Sequence, residues 1–162
     1  ISLQASTYMV WHSDHYHMGK MTELYLFCGA FIPVNFPQKA HLNIRRKNIM
    51  DRWNIFAKKG FQTGNSQFDS KVIMQTNDSE ASLKWLSRSR LQREIVKALD
   101  HDPSLRISIN EVEVDFVPGL QGKSHLSILN SQLWYLEKKQ IDPLMKSIVD
   151  LQKQLSPSIY EG

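Results

Sequence analysis

The first third of the chain carries the patterns typical of β-strands, since residues 7–11 and 24–32 are apolar and rich in aromatic residues, and residues 40–45 alternate apolar and polar side chains. These patterns predict strands over residues 7–11, 24–32 and 40–45. The polar segment 13–20, which ends in Met18-Gly19-Lys20, is predicted to be the connection of a hairpin. The first third is therefore expected to contribute strands to the fold, two of them joined as a hairpin.

The middle of the chain predicts a strand followed by two helices. Residues 47–64 have no clear period and indicate a loop with one helical turn, whereas 68–75 predict a strand. Asn77, Asp78 and Ser79 offer N-cap oxygens for a short helix, and Ser87 can cap a second one. In the second helix an apolar stripe is formed by Leu91, Ile95, Val96 and Leu99.

The remaining third predicts further strands and a C-terminal helix. Alternation over 106–117 indicates a strand or hairpin, and 124–129 is another strand candidate. Asp142 and Pro143 form a helix start, because proline at the first helical position loses no hydrogen bond. The apolar stripe of that amphipathic helix comprises Leu144, Ile148, Leu151 and Leu155.

These elements together predict an α+β fold, a mostly antiparallel sheet with two or three packed helices. A length of 162 residues fits one domain, so we treat 1–162 as a single soluble domain. Hydrophobic residues make up 41% of the chain, which excludes a disordered or low-complexity protein. No apolar run is long enough to cross a bilayer.

A segment near the middle of the chain carries a recognisable motif. The run Gly64-Asn65-Ser66-Gln67-Phe68-Asp69 precedes a short strand, and Asp78 and Ala81 then precede a helix that ends in Leu86-Ser87. Upstream, Phe27-Cys28-Gly29-Ala30-Phe31 is an aromatic-x-Gly-x-aromatic strand. The pattern resembles that of an uncharacterised family of bacterial membrane-associated domains. Asn65 and Val72 depart from it, standing where that family often has Asp and Phe.

The resemblance implies an α+β domain that is excised from a longer membrane-associated protein. It implies a non-catalytic role in binding or assembly, on the cytoplasmic side of the membrane, with no cofactor. The expected partners are another protein or an anionic lipid surface. A homo-oligomer joined through the C-terminal helix is a further expectation.

A cluster of histidines gives an alternative function. His12, Asp14, His15 and His17 lie within six residues and have the side chains that bind zinc, so a small metal-dependent hydrolase is one hypothesis. The opposing interpretation is a solvated hairpin tip. On a strand, His15 and His17 would share one face, and His12 and Asp14 could not both join them there.

Basic residues are concentrated in the first sixty positions, where the net charge is +5 against −1 for the rest of the chain. They predict a surface for anions, with aromatic residues interleaved that could stack on bases. We rank an anionic lipid surface above nucleic acid, and a nucleic-acid-binding module is the second alternative. The residues of this set are Lys39, Arg45, Arg46, Lys47, Arg52, Lys58 and Lys59.

Two further sets of reactive side chains have a structural interpretation. Cys28, the only cysteine, lies in an apolar strand and is predicted to be a buried hydrophobic residue. Glu111, Glu113 and Asp115 alternate with apolar residues and are interpreted as the wet face of a strand.

Overall fold

The computed structural model of the protein describes residues 6–53 and 60–155. Within them six strands and five helices follow one another along the chain. Their bounds are β1 (Tyr8–Met18), β2 (Met21–Pro33), β3 (Leu42–Arg46), α1 (Ile49–Trp53), α2 (Ser66–Asp69), β4 (Val72–Thr76), α3 (Ser79–Trp85), α4 (Ser89–Leu99), β5 (Leu105–Ile109), β6 (His125–Asn130) and α5 (Lys138–Leu155).

The six strands form one sheet in the order β1-β2-β6-β5-β3-β4, and each neighbouring pair is antiparallel. The α+β prediction is therefore confirmed. None of the helices in the described ranges is long and apolar enough to cross a membrane.

The two faces of the sheet are covered by different parts of the chain. On the helix face, α4 and α5 pack against the central strands and bury their apolar stripes, which comprise Leu91, Ile95, Leu99, Leu144, Ile148 and Leu151. On the loop face, Phe27, Phe31 and Leu129 are covered by buried side chains of the segment 111–123. The protein therefore has a main core on one face and a smaller core on the other.

The first hairpin differs from its prediction. The segment 13–18, predicted to be a connection, continues β1, and only Gly19 and Lys20 form the turn. Gly19 has a φ of +63°, a conformation that suits glycine at the first central position of a two-residue hairpin turn. The polar residues were misleading because a strand with both faces in water needs no apolar alternation.

The motif around residue 65 also folds differently from the prediction. Phe68 lies in the one-turn helix α2 and not in a strand, and its side chain is buried. Asn65 caps α2 by accepting a hydrogen bond from the amide of Gln67. The strand begins only at Val72.

Both long helices begin at positions other than those predicted. The N-cap of α4 is Arg88, which makes no side-chain capping bond, and not Ser87. Helix α5 begins at Lys138, so Pro143 lies inside it and Asp142 does not cap it. Pro143 has no N–H for the carbonyl of Lys139, but Lys139 is exposed and water can bond that carbonyl. Asp78 caps α3 as predicted, at 2.9 Å from the amide of Ala81.

The alternation over 106–117 ends as a strand at Ile109, because Asn110 turns the chain with a φ of +55°. Beyond it, Val112 and Val114 are buried against the loop face, whereas Glu111, Glu113 and Asp115 are exposed. The carboxylates are therefore on a wet surface as expected, although the segment that carries them is a loop.

Asn110 connects two other segments of the chain near this corner, residues 40–41 and 124–125. Its amide nitrogen donates to the carbonyl of Ala40 at 2.9 Å and to the hydroxyl of Ser124 at 3.2 Å. Its side-chain oxygen accepts from the amide of His125 at 3.1 Å, and its carbonyl contacts Nδ1 of His41 at 2.6 Å. A side chain with both a donor and an acceptor is required for this set of bonds.

Candidate interaction surface

The β1–β2 hairpin extends well beyond the rest of the sheet. Strand β2 pairs with β6 only from Cys28 to Pro33, whereas its pairing with β1 continues from His12↔Phe27 to Met18↔Met21. These seven residue pairs, residues 12–27, form a two-stranded arm about 20 Å long at ~3.3 Å per residue. No third strand pairs with the arm in the described part of the chain.

Large apolar side chains on the arm become more exposed toward its tip. Tyr25 is 39% exposed, Leu24 56%, Tyr16 60%, Met21 67% and Met18 70%. Tyr16, Met18, Met21 and Tyr25 project on one face of the arm and Leu24 on the other, and an exposed apolar patch such as that of the first four residues marks an interaction site. The arm carries Asp14, Glu23 and Lys20, a net charge of −1 with neutral histidines.

Three exposed aromatic residues extend this surface around the base of the arm. Phe116, from the segment on the loop face, stacks on the ring of His12 with centroids 5.1 Å apart. Trp134 donates its indole N–H to the carbonyl of His12 at 3.2 Å, and Trp11 donates to the carbonyl of Tyr135 at 2.8 Å. We call the apolar side chains of the arm together with Trp11, Phe116 and Trp134 the arm surface.

A buried polar network fixes the segment that carries Trp134. The hydroxyl of Tyr135 donates to Asp102, and Asn130 donates to that hydroxyl at 3.2 Å. The amide of Tyr135 points to Sγ of Cys28 at 3.3 Å, and burial raises the pKa of the Cys28 thiol. This arrangement agrees with the prediction that Cys28 is a structural residue, since it is fully buried.

The four candidate metal ligands lie on opposite faces of β1. His12 and Asp14 project on the loop face, and His15 and His17 project on the helix face. The carboxylate of Asp14 accepts from the amide of His15 at 2.7 Å, and His17 bonds to Thr22. No three His, Cys, Asp or Glu residues of the described ranges form a group that could hold a metal ion.

The predicted basic set is divided between two ends of the sheet. Lys39 lies near the start of β3, where its carbonyl accepts from Asn77, whereas Arg45, Arg46 and Lys47 lie at the other end of that strand. Arg46 forms an ion pair with Asp100 at 2.8 Å. Lys58 and Lys59 lie outside the described residues, as does the side chain of Arg52.

Arg45 holds helix α1 against the sheet through a two-point ion pair. Its guanidinium donates to the two carboxylate oxygens of Asp51 at 2.7 and 2.8 Å. Asp51 also accepts from the amide of Asn48 at 2.8 Å, and Asn48 accepts from the amide of Asp51 at 2.9 Å, a reciprocal pair like a capping box. The guanidinium of Arg45 lowers the pKa of Asp51 to about 2.

This ion pair predicts a dependence of stability on pH. A carboxyl whose folded pKa is depressed stabilises the fold above its unfolded pKa and loses that contribution as the pH falls toward its folded value. We expect Asp51→Asn to lower the free energy of unfolding by about 1 kcal/mol at pH 6, given that Arg45 is partly exposed. Between pH 4 and pH 2 the difference from wild type should shrink toward zero.

Urea denaturation of both proteins across that pH range measures the difference. The matched control is Asp142→Asn, because Asp142 is an exposed helix residue 3.9 Å from Lys138. A constant difference between Asp51→Asn and wild type from pH 6 to pH 2 contradicts the depressed pKa.

A cleft of about 730 Å³ lies where β3 ends and β5 begins. Its basic residues include Lys47 and Arg106, which form no ion pair with any acidic residue in the described part of the chain. Ile49 and Met50 border it and are 72% and 76% exposed. These two cations and their two apolar neighbours form a small site for an anionic group. It has fewer exposed apolar residues than the arm surface.

The sequence-based interpretation missed the apolar residues of the arm. Tyr16 and Met18 belong to the segment 13–20, which was interpreted as a polar connection, and Met21 directly follows it. One signal in the sequence was available. Only Gly19 and Lys20 separate the two methionines Met18 and Met21, and this spacing fits a two-residue turn between longer strands.

The arm surface brings together eight of the exposed large apolar side chains of the described residues. Comparison of the chain with models of protein families, with characterised proteins and with solved structures gives no match.

Proposed function

We propose that this chain is a non-catalytic binding and assembly domain whose arm surface holds a protein partner. The observation that carries the proposal is the arm itself, which presents Tyr16, Met18 and Met21 to solvent with no support from the rest of the sheet. A monomer with no partner gains nothing from exposing these side chains, since burying each contributes about 1.5–3 kcal/mol.

The charge of the arm favours a protein over an anionic lipid surface. The arm has a net charge of −1, and its two carboxylates, Asp14 and Glu23, would be repelled by acidic head groups. The basic residues Arg45 and Arg46 are in ion pairs with Asp51 and Asp100. The resemblance to bacterial membrane-associated domains supports a location beside the cytoplasmic face of a membrane as part of the same proposal.

Site-specific photo-crosslinking tests the contact surface. The protein, produced in its own cells, carries p-benzoylphenylalanine in place of Tyr16 on the arm. The matched control carries it in place of Leu83, an exposed residue of α3 away from the arm. We expect a discrete protein adduct from position 16 and none from position 83.

Two outcomes contradict the proposal. Equal adducts from both positions, or no adduct from either, would show that the arm is not a contact surface. A lipid adduct from position 16 would assign the arm to the membrane and not to a protein.

A further inference from the structure

The two edges of the sheet differ in how they are protected. At the β4 edge the strand has five residues, and the amide of Phe61 bonds to the carbonyl of Met74 at 3.1 Å, so part of that edge is covered. At the β1 edge the strand has eleven residues in unbroken register with β2. It contains no proline, lysine or bulge, which are the usual means of blocking an edge, and Asp14 is its only acidic residue.

The structure also shows which backbone groups of β1 face outward. The amide of Val34 bonds to the carbonyl of Ser124, so even-numbered residues of β2 bond toward β6 and odd-numbered ones toward β1. The residues of β1 that bond outward are therefore the odd-numbered ones, Met9, Trp11, Ser13, His15 and His17. The amide of His15 confirms this assignment, since it bonds to the side chain of Asp14 and not to β2.

We propose that the β1 edge joins two copies of this chain into a symmetric dimer, with the two β1 strands antiparallel and centred on Ser13. This inference rests on the proposed function and names the protein partner as a second copy. A twofold axis at Ser13 pairs the whole of residues 8–18, and it places outward-facing residues opposite one another. The two sheets then become one continuous twelve-stranded sheet.

The side chains that meet in this register are compatible. Residues in each pair have numbers that add to 26, so Tyr16 lies beside Val10 of the other copy and Met18 lies beside its Tyr8. Asp14 lies beside His12 of the other copy. The only acidic residue of the strand therefore meets a hydrogen-bond donor and not the second Asp14. No pair in the register joins two like charges.

The same register covers the arm surface. Each arm lies alongside the base of the other β1 strand, the region flanked by Phe116 on the loop face and Trp134 on the helix face. Both aromatic residues are exposed, at 53% and 40%. The dimer thereby accounts for the exposure of apolar side chains at the arm and around its base with one contact.

Helix α5 is not needed for this contact. Its apolar residues Leu144, Ile148 and Leu151 are buried against the sheet of their own chain. A homo-oligomer remains a prediction, and the structure favours the edge of the sheet over the C-terminal helix as the place to look for it.

Sedimentation of the full 162-residue chain tests the dimer. We expect wild type to sediment at twice the 18.8 kDa mass of the chain and Ser13→Pro to sediment at that mass. Because the amide of Ser13 points outward, Ser13→Pro removes a bond between copies and none between β1 and β2. The control Ser13→Thr should remain dimeric, and circular dichroism should show the same fold for all three proteins.

Cysteine crosslinking tests the register without depending on the proline variant. In the dimer two Ser13→Cys residues face each other at a spacing that a disulfide can bridge, whereas two His17→Cys residues are about 27 Å apart at ~3.4 Å per residue. Oxidation should therefore crosslink Ser13→Cys into dimers and leave His17→Cys uncrosslinked. Wild type should not crosslink, because Cys28 is buried.

Two results overturn the dimer. One is wild type at the monomer mass at the highest soluble concentration, and the other is equal crosslinking at positions 13 and 17. In either case a heterologous protein adduct from position 16 would preserve the proposed function, whereas the lack of any adduct there would overturn that function as well.

Discussion

Gly29→Ala is expected to lower the free energy of unfolding by about 3 kcal/mol, at the upper end of the range for overpacked sites. Gly29 lies in β2 between two neighbouring strands, opposite Val10 of β1 and Leu129 of β6. A Cβ at this position would be 2.7 Å from the carbonyl oxygen of Ile128 and 2.8 Å from Cβ of Leu129. Those atoms belong to a central strand and cannot move without separating β2 from β6.

Gly119→Ala is the matched control for this substitution. A Cβ at Gly119 would meet the hydroxyl of Tyr8, which is the far end of a side chain that can rotate away. We expect a smaller loss than at Gly29, because the clash at Gly119 is with the ring of Tyr8, which packs against the smaller core and can shift, and not with backbone atoms. Urea denaturation monitored by circular dichroism measures both values, and similar losses for the two variants would refute the role of close strand approach at Gly29.

Asn110→Ala is expected to cost about 3 kcal/mol, for two separable reasons. The φ of +55° at Asn110 is a left-handed conformation that costs an alanine roughly 1 kcal/mol or more. The loss of the side chain also removes the bonds to Ala40, Ser124 and His125, and each buried group left unpaired costs about 1–3 kcal/mol.

Asn110→Gly separates the two contributions, because glycine tolerates the left-handed conformation but has no amide. We expect the stability order wild type, then Asn110→Gly, then Asn110→Ala, with about 1 kcal/mol between the two variants. Equal stability of the glycine and alanine variants would show that the backbone conformation contributes nothing. Equal stability of the glycine variant and wild type would show that the hydrogen bonds of the Asn110 side chain contribute nothing.

Where one face of a segment is buried, the sequence predicted the structure well. The apolar spacing of Leu91, Ile95 and Leu99 indicated the buried face of α4, and the cap at Asp78 was read from its short polar side chain. Burial requires apolar residues at a fixed period, so the period carries the information. The α+β fold was predictable for this reason.

Where both faces of a segment meet solvent, the same reasoning failed. Residues 13–18 are strand because they pair with β2, although Ser13, Asp14 and His15 have no core to face. The end of β5 before Asn110 could not be predicted either, because the alternation of apolar and polar residues continues through Val112 and Val114. These two residues are buried although they lie in a loop. Long-range pairing and the conformation of one residue decided these cases, and neither leaves a local pattern.

The candidate site could be predicted only in part. The histidine cluster and the basic stretch stood out by composition. Strand alternation places the residues of the histidine cluster on two opposite faces of β1. In the basic stretch, Arg45 and Arg46 are in ion pairs with Asp51 and Asp100. The arm surface depends on how far β2 extends past β6, a property of the whole sheet. The local sequence pattern of β2 does not show where its pairing with β6 ends, so it does not show the length of the arm.

The burial of Cys28 has a chemical consequence for the protein as a whole. Thiol oxidation and disulfide exchange proceed through the thiolate, and a raised pKa keeps that form scarce. The chain has no other cysteine, so a change from a reducing to an oxidising compartment forms no disulfide within it. The fold therefore needs no disulfide, whichever compartment the protein occupies.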